Sequence, residues 1–384
     1  MQQLSKMLNI AQRLAQSKKV PFQSIYWKGI NNTINRILNG ESYILSTFYV
    51  PNEIFALFDI PILYTERTAG IGAACSLGKV DFTCRPDRGC SYQKILDAMI
   101  NTSRWPKPDM IVAVDFACND AFDYCRSFAK KNDIAFFELP IKEYKEKASV
   151  ELENLYCLLK QNYPIRRPID TVVSLTNEAV NWKKKIETIC FDRPGILPGQ
   201  YAMNLFPVYN DLGTENAVNC FKEFYHFLKS SDTALFQDRY PLLWLGTAPV
   251  HTALLSILEA RFPVRFISEE LFYFSPYVIT KQDFFHDLVQ RIIQSPLFTI
   301  EARLEWIGEI VDTFHIKGVI HYSQHNCEFL PPMVPGIKSM LSSKGVPFVE
   351  FKGDGVNIQY RNNIYNEEMR TLIRQIEGRS DNVT

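Results

Sequence analysis

The sequence lacks any apolar run of about 18 residues, the length that a membrane-spanning helix requires, so we expect no spanning helix. It also lacks a charge excess, because 42 basic residues balance 42 acidic ones. This balance argues against nucleic acid or an anionic membrane surface as a partner. Residues 4–15 follow an amphipathic helical pattern, whereas a signal peptide needs an unbroken apolar stretch. We therefore expect a cytoplasmic protein.

Two further absences concern cysteine and phosphate-binding motifs. Nine cysteines are too few for a disulfide framework in 384 residues, and no CxxC pair is present. No Walker A motif occurs, so no phosphate-binding loop for ATP is predicted. Residues 70–74 are only superficially similar to a dinucleotide-binding turn, and we predict an ordinary loop there. The cysteines are left as metal ligands or as buried free thiols.

Short apolar runs alternate with helical patterns in two parts of the chain. The predicted strands are residues 43–48, 60–64, 110–115, 134–139, 242–246, 264–267, 318–322 and 347–351. Alternation of this kind is typical of parallel sheets with helices on both faces. The predicted fold class is α/β, with two doubly wound (Rossmann-like) domains at residues 1–160 and 239–384. A helical connecting region at residues 161–238 joins them.

The loops that follow the strands are the predicted ligand sites, because open parallel sheets bind ligands at the carboxyl ends of their strands. Cys118 and Cys327 each follow a predicted strand, and Cys90 directly precedes a predicted helix. A helix N-terminus favours the thiolate, which is the form that binds soft metals and iron–sulfur clusters. Taken alone, scattered cysteines of this kind are more often structural than metal ligands.

An ordered set of segments between about residues 40 and 361 carries a family resemblance. The segments are Pro51-Asn52-Glu53-Ile54 with the strand after it, Cys90-Ser91-Tyr92, Cys118-Asn119, Gly318-Val319-Ile320 followed by Cys327, and residues 345–351. Together they resemble the family of 2-hydroxyacyl-CoA dehydratase and benzoyl-CoA reductase subunits. Residues 354–361 match the family only in part, which leaves the identity of the substrate open.

The resemblance implies a [4Fe–4S] cluster bound by Cys90, Cys118 and Cys327, with one iron left for another ligand. It further implies radical elimination of water from an acyl-CoA substrate. The electron would come from an ATP-hydrolysing iron–sulfur activator protein, and a homologous second subunit would complete the enzyme. The absence of a Walker A motif is consistent with an external ATPase.

Several alternatives stay open. The chain can instead be a benzoyl-CoA reductase-type subunit, a non-catalytic electron-relay subunit, or a descendant that has lost its metal. A reductase with a double-cubane [8Fe–9S] cluster would need about twice as many thiolates, and Cys75, Cys84 and Cys125 are the nearest in sequence. We predict that these three pack in the interior. The cysteines predicted to be structural in the helical region are Cys157, Cys190 and Cys220.

Three polar residues near the first strand exit are candidates for catalysis. Glu53 can act as a general acid or base, or it can merely stabilise the first turn of its helix. Ser46 and Thr47 can hydrogen-bond a thioester carbonyl, although buried hydroxyls more often satisfy backbone groups.

The second domain offers its own candidates. His321 and His325 flank Cys327 and can donate protons or tune a cluster through hydrogen bonds. Gly246 and Thr247 precede a predicted helix, where backbone N–H groups can hold a coenzyme A phosphate. We predict that residues 269–270, two glutamates after a strand, are solvated.

Overall fold

The structure is a computed structural model that forms two compact units. Unit 1 comprises Met1–Ile186, Pro207–Lys229 and Ser275–Ser295, and unit 2 comprises Glu187–Phe206, Ser230–Phe274 and Pro296–Thr384. The region predicted to connect two domains is thus divided between both units. The described residues are 2–16, 21–74, 89–101, 105–142, 145–197, 199–231, 238–247, 254–270, 277–355 and 365–378.

Unit 1 is built on a four-stranded parallel sheet. Its strands are β1 (Ile44–Ser46), β2 (Ile62–Tyr64), β3 (Met110–Val114) and β4 (Ala135–Leu139), in the spatial order β2-β1-β3-β4. Every residue of β1, β2 and β3 is buried. Continuous apolar runs of this kind form strands that helices cover on both faces, which is why the sequence pattern located them.

Unit 2 contains the second four-stranded parallel sheet. Its strands are β5 (Tyr240–Gly246), β6 (Val264–Glu269), β7 (Gly318–Gln324) and β8 (Phe348–Gly353), in the order β6-β5-β7-β8. One apolar core lies around Trp244 and another lies around Leu245. Because neighbouring residues of a strand point to opposite faces, the sheet is covered on both sides. The two sheets confirm the predicted doubly wound α/β class.

Helices surround both sheets, and none of the described ones has the length and apolarity needed to cross a bilayer. They are α1 (Gln2–Ala15), α2 (Pro21–Leu38), α3 (Asn52–Ala56), α4 (Thr65–Ala74), α5 (Ser91–Ile100), α6 (Asn119–Asn132), α7 (Lys145–Asn162), α8 (Ile169–Asp192), α9 (Gly199–Leu205), α10 (Glu215–Lys229), α11 (Leu254–Arg261), α12 (Phe284–Ile293), α13 (Ile300–Thr313), α14 (Val334–Ser343) and α15 (Asn366–Ile376). Short 3₁₀ helices occupy Phe206–Asp211 and Pro331–Met333.

The predicted loop at residues 70–74 is wrong, because these residues complete α4. Helix α4 packs against α5, and a Cβ atom on Gly72 would collide with Met99 of α5. The glycine therefore permits a close approach of two helices. Close helix packing, and not a turn around a dinucleotide, explains this glycine pattern.

The strand order places the candidate residues at the switch point of each sheet. In unit 1 the strand that follows β1, which is β2, lies on one side of it, and β3 lies on its other side. The switch point of this sheet is therefore between β1 and β3. In unit 2 it lies between β5 and β7. Ligands of open α/β sheets bind in the crevice at the carboxyl side of such a point. Thr47 and Cys118 follow the first pair of strands, and Thr247 and Cys327 follow the second.

Candidate functional site

Cys118 is the N-cap residue of α6 in unit 1. Its Sγ accepts a hydrogen bond of 3.3 Å from the backbone N–H of Ala121. The preceding residue, Ala117, has a φ of 70°, a left-handed conformation that is uncommon for any residue except glycine. Backbone strain of this kind is retained chiefly at functional sites. The N–H donor stabilises negative charge on sulfur, so the helix start favours the thiolate form of Cys118.

Cys90 has the equivalent position on the neighbouring helix. It is the N-cap residue of α5 and is buried, and it follows Gly89, whose φ is +80°. Helices α5 and α6 contact each other. Unit 1 therefore presents two cysteines at the N-termini of two adjacent helices, where the helix dipoles favour thiolates.

Cys327 lies in unit 2, on the loop between β7 and α14. It is half-buried, and its N–H donates to Gln324 O at 3.1 Å. Asn326 before it has a φ of 57°. The N–H of His325 donates to Gly353 O on β8 at 2.8 Å, so the loop is fixed to the sheet edge.

The structure places two of the predicted ligands in unit 1 and the third in unit 2. Among the residues that it describes, no group of three or more histidine, cysteine, aspartate or glutamate side chains is arranged to hold a metal ion. Cys75 and Cys84 lie outside the described residues. Cys125 is fully buried, and burial raises the pKa of its thiol well above the ordinary value. A neutral buried thiol fits a packing role for Cys125.

Glu53 is fully buried on α3 and is held by other residues of unit 1. Arg291 of α12 donates to both of its carboxylate oxygens, with Nη2 and Oε2 2.8 Å apart, and Thr176 Oγ1 donates to Oε1 at 3.2 Å. This bidentate pairing is the strong form of an arginine–carboxylate contact. Glu53 could transfer a proton only if its hydrogen bonds from Arg291 were broken.

The hydroxyl groups at the exit of β1 satisfy the backbone. Ser46 Oγ donates to Thr47 O at 3.2 Å, and Thr47 Oγ1 accepts from the N–H of Val114 at 3.0 Å. Both side chains are buried. The Ser46 bond is local, whereas the Thr47 bond links the exit of β1 to β3 at the switch point. Satisfying backbone groups in this way is the commoner use of buried hydroxyls.

Glu66 is a candidate that the sequence analysis missed. It is the second residue of α4, which directly follows β2, and Thr65 Oγ1 donates to its Oε2 at 2.6 Å. Burial raises the pKa of its carboxyl group, although hydrogen bonds from Thr65 and from the backbone of Glu66 and Phe48 oppose the shift. A carboxyl group with a raised pKa at a strand exit is a candidate proton donor. The available signal was a glutamate directly after a buried strand.

The backbone N–H of Gly246 binds an anionic group, which is the side-chain carboxylate of Glu270. Its N–H donates to Glu270 Oε2 at 2.7 Å, and Arg303 of α13 makes a bidentate salt bridge to the same carboxylate. Glu270 and Arg303 are both fully buried at their side chains. The prediction that residues 269–270 are solvated is therefore wrong for Glu270. The N–H predicted to hold a coenzyme A phosphate already donates to this carboxylate.

The same arginine supports the loop that carries Cys327. Arg303 Nη1 lies 3.5 Å from Leu330 O and 3.3 Å from the sulfur of Met333. One buried side chain thus connects the end of β6 with the segment after β7. Loss of Arg303 would release both at once.

The two histidines near Cys327 differ in their surroundings. His325 is exposed, whereas His321 is fully buried on β7. Burial, and next the charge of Arg303, lower the pKa of His321 to about 3. His321 is therefore neutral in the folded protein at neutral pH and cannot serve as a cationic proton donor there.

The low pKa of His321 predicts an acid-sensitive fold. An unfolded chain binds a proton at this histidine near pH 6.5, but the folded chain resists it down to about pH 3. The contribution of His321 to the free energy of unfolding is therefore complete above pH 6.5 and decreases as the pH falls. At pH 5 the decrease should be about 2 kcal/mol. Urea unfolding of His321→Gln and wild type at pH 7.5 and pH 5 checks this. Equal pH dependence in both would contradict it.

A large groove lies elsewhere in unit 1. It has a volume of about 1320 Å³ and is lined by residues at the amino-terminal ends of the strands, among them Ile60, Met110 and Ala135. Its basic residues, Arg36, Lys107, Arg166 and Arg167, are matched by four acidic ones. None of the candidate residues lines it, and its balanced charge gives it no preference for an anion.

The comparisons with known proteins identify a family. The family model described as 2-hydroxyglutaryl-CoA dehydratase, D-component, matches residues 47–376. No curated protein matches the chain significantly. The matched range includes every candidate residue except Ser46, and every strand of the two sheets except β1. The chain belongs to the 2-hydroxyglutaryl-CoA dehydratase D-component family.

Proposed function

We propose that the chain is the iron–sulfur subunit of a 2-hydroxyacyl-CoA dehydratase-type enzyme. The family is that of a dehydratase component, and the name of a component implies a partner subunit. The observation that carries the iron–sulfur part is the hydrogen bond from Ala121 N–H to Cys118 Sγ at the start of α6. Thiols at helix starts beside a switch point suit an iron–sulfur ligand better than a packing role.

Cys90, Cys118 and Cys327 would hold a [4Fe–4S] cluster, their thiolates being the donors that such a cluster requires. When bound, the cluster would supply one-electron chemistry for the elimination of water from the acyl-CoA substrate. The electron would be delivered by an ATP-hydrolysing iron–sulfur activator protein. Glu66 of unit 1 is the proposed proton donor, because burial raises the pKa of its carboxyl group.

Iron analysis tests this proposal. Anaerobically prepared wild type should contain about four irons and four acid-labile sulfides per chain. Cys118→Ala should lose most of both and keep its circular dichroism spectrum. Cys157→Ala, an exposed cysteine on α7, is the matched control and should keep its iron. About eight irons would instead favour the double-cubane reductase, and none after reconstitution would contradict a cluster in this chain.

Substrate assays then separate the remaining roles. With an activator protein and the partner subunit, the wild-type chain should dehydrate a 2-hydroxyacyl-CoA, and Cys118→Ala should not. Reduction of an aromatic acyl-CoA without dehydration would favour the benzoyl-CoA reductase branch. A chain that is reduced by the activator but binds no acyl-CoA would favour an electron-relay subunit.

A further inference from the structure

His321 lies inside a directed chain of hydrogen bonds in unit 2. Ser323 Oγ donates its proton to Glu350 Oε1. Because that proton is used, Ser323 Oγ must accept a hydrogen bond from His321 Nδ1, which lies 2.9 Å from it. Nδ1 therefore carries the proton of the neutral ring. The tautomer leaves Nε2 as a bare lone pair, which can only accept a hydrogen bond.

That lone pair has no partner in the described part of the chain. His321 is fully buried, and its Nε2 has no hydrogen-bond partner among the described residues. The hydroxyl of Thr247, at the end of β5, is buried and equally unmatched by any described residue. Most buried polar atoms are satisfied, so two unmatched atoms at the same switch point call for a partner.

Gly246 lies next to the ring. Its φ is +82°, and a Cβ there would lie 2.6 Å from Tyr322 O and 3.6 Å from His321 Nε2. Residue 246 therefore has to be glycine, and its backbone lies close to the histidine nitrogen.

The surrounding charges define what this site can accept. Arg303 and Glu270 neutralise each other, and Glu350 faces Ser323 and, at 3.5 Å, Lys352. The neutral imidazole has no positive charge for a phosphate, and its low pKa agrees with the geometry. A metal ion would need further ligands, and the described residues form no metal-binding group. A neutral O–H or N–H donor remains.

We propose that His321 Nε2 accepts a hydrogen bond from a neutral O–H or N–H group of a ligand bound at the carboxyl end of β5, beside Gly246 and Thr247. The identity of that ligand rests on the proposed function, since an acyl-CoA carries two such donors. One is the hydroxyl of the 2-hydroxyacyl group, and the other is an amide N–H of the pantetheine arm. Both are uncharged, as the site requires.

The tautomer is tested first, without any ligand. The full chain labelled with ¹⁵N at its six histidines should show one ring with a protonated Nδ1 and an unprotonated Nε2 from pH 8 to pH 5. His321→Gln assigns the signal, and Ser323→Ala should abolish its preference for the Nδ1–H form. A protonated Nε2 in the wild type would overturn the proposal, whatever the iron content of the protein.

Ligand binding is tested next, with lactoyl-CoA, propionyl-CoA and pantetheine as probes. A change in the Nε2 shift with lactoyl-CoA alone assigns the donor to the hydroxyl, and a change with all three assigns it to an amide. His321→Leu should bind the effective probe about three- to tenfold more weakly, the effect of one hydrogen bond. His321→Gln, which keeps an acceptor, should lose less, and His286→Gln, at an exposed position of α12, is the control.

Two results would overturn the acceptor site. One is calorimetric binding of lactoyl-CoA with no change at Nε2, and the other is equal affinity in wild type and His321→Leu. Absence of binding by every probe would overturn it as well. If the protein contains no iron but binds a probe that changes the ¹⁵N chemical shift of Nε2, only the dehydratase assignment is contradicted.

Discussion

Glu270→Ala should destabilise unit 2 by about 3–5 kcal/mol, because it leaves a buried arginine without its counter-ion. Arg303 and Glu270 are completely buried, and the carboxylate is also the acceptor for the N–H of Gly246. The substitution therefore leaves both the charge of Arg303 and the N–H of Gly246 without a partner. For a unit of this size the thermal midpoint should fall on the order of 10 °C.

The control for this prediction is a salt bridge on the surface of the same unit. Glu367 and Arg370 pair on α15 with both side chains well exposed. Glu367→Ala should change stability by less than about 1 kcal/mol, since exposed ion pairs contribute little. Hydrogen exchange of the β5 and β7 amides, measured for both variants, assigns the loss to unit 2.

Rescue separates charge from packing. Acetate or formate should restore part of the stability of Glu270→Ala, because either carboxylate can occupy the place between Gly246 N–H and Arg303. Glu270→Gln combined with Arg303→Met should be more stable than Glu270→Ala, since no unpaired charge remains. Equal stability of Glu270→Ala and Glu367→Ala would contradict the assigned role of this pair.

The buried pair of Glu270 and Arg303 could not be predicted from the sequence, although the strands around it could. Apolar runs located all eight predicted strands, because parallel strands buried on both faces leave a continuous signal in the sequence. A glutamate after such a strand carries no comparable signal. Its partner lies 33 residues further on, in α13, and nothing in the sequence indicates that the two side chains meet. Glu270 was therefore predicted to be solvated.

The candidate site divides in the same way. The strand exits, and the cysteines in them, followed from the alternation of strands and helices. The hydrogen bond to Cys118 Sγ, the tautomer of His321 and the raised pKa of Glu66 depend on contacts made by the folded chain. The glycine-rich segment of α4 was misassigned because glycine permits both turns and close helix packing, and only the presence of Met99 decides between them.

Glu53→Gln should destabilise unit 1 by about 3–5 kcal/mol, for the same physical reason in a different place. Glutamine keeps the shape of the side chain and removes its charge, so Arg291 is left buried with no counter-ion. The pair joins α3 to α12, and 238 residues of chain separate its members. Hydrogen exchange of the β1 and β3 amides, together with the thermal midpoint, measures the loss.

A double-mutant cycle then decides between the roles considered for Glu53. Arg291→Met alone should be as damaging as Glu53→Gln, while the double variant should recover part of the loss, because it leaves neither charge unpaired. Asp170→Asn, which removes the exposed pair between Asp170 and Lys281 in the same unit, is the control and should be nearly neutral. A Glu53→Gln protein that unfolds like wild type but has lost dehydratase activity would show that Glu53 acts in proton transfer. A coupling of several kcal/mol with Arg291 would show that this carboxylate holds α12 against α3.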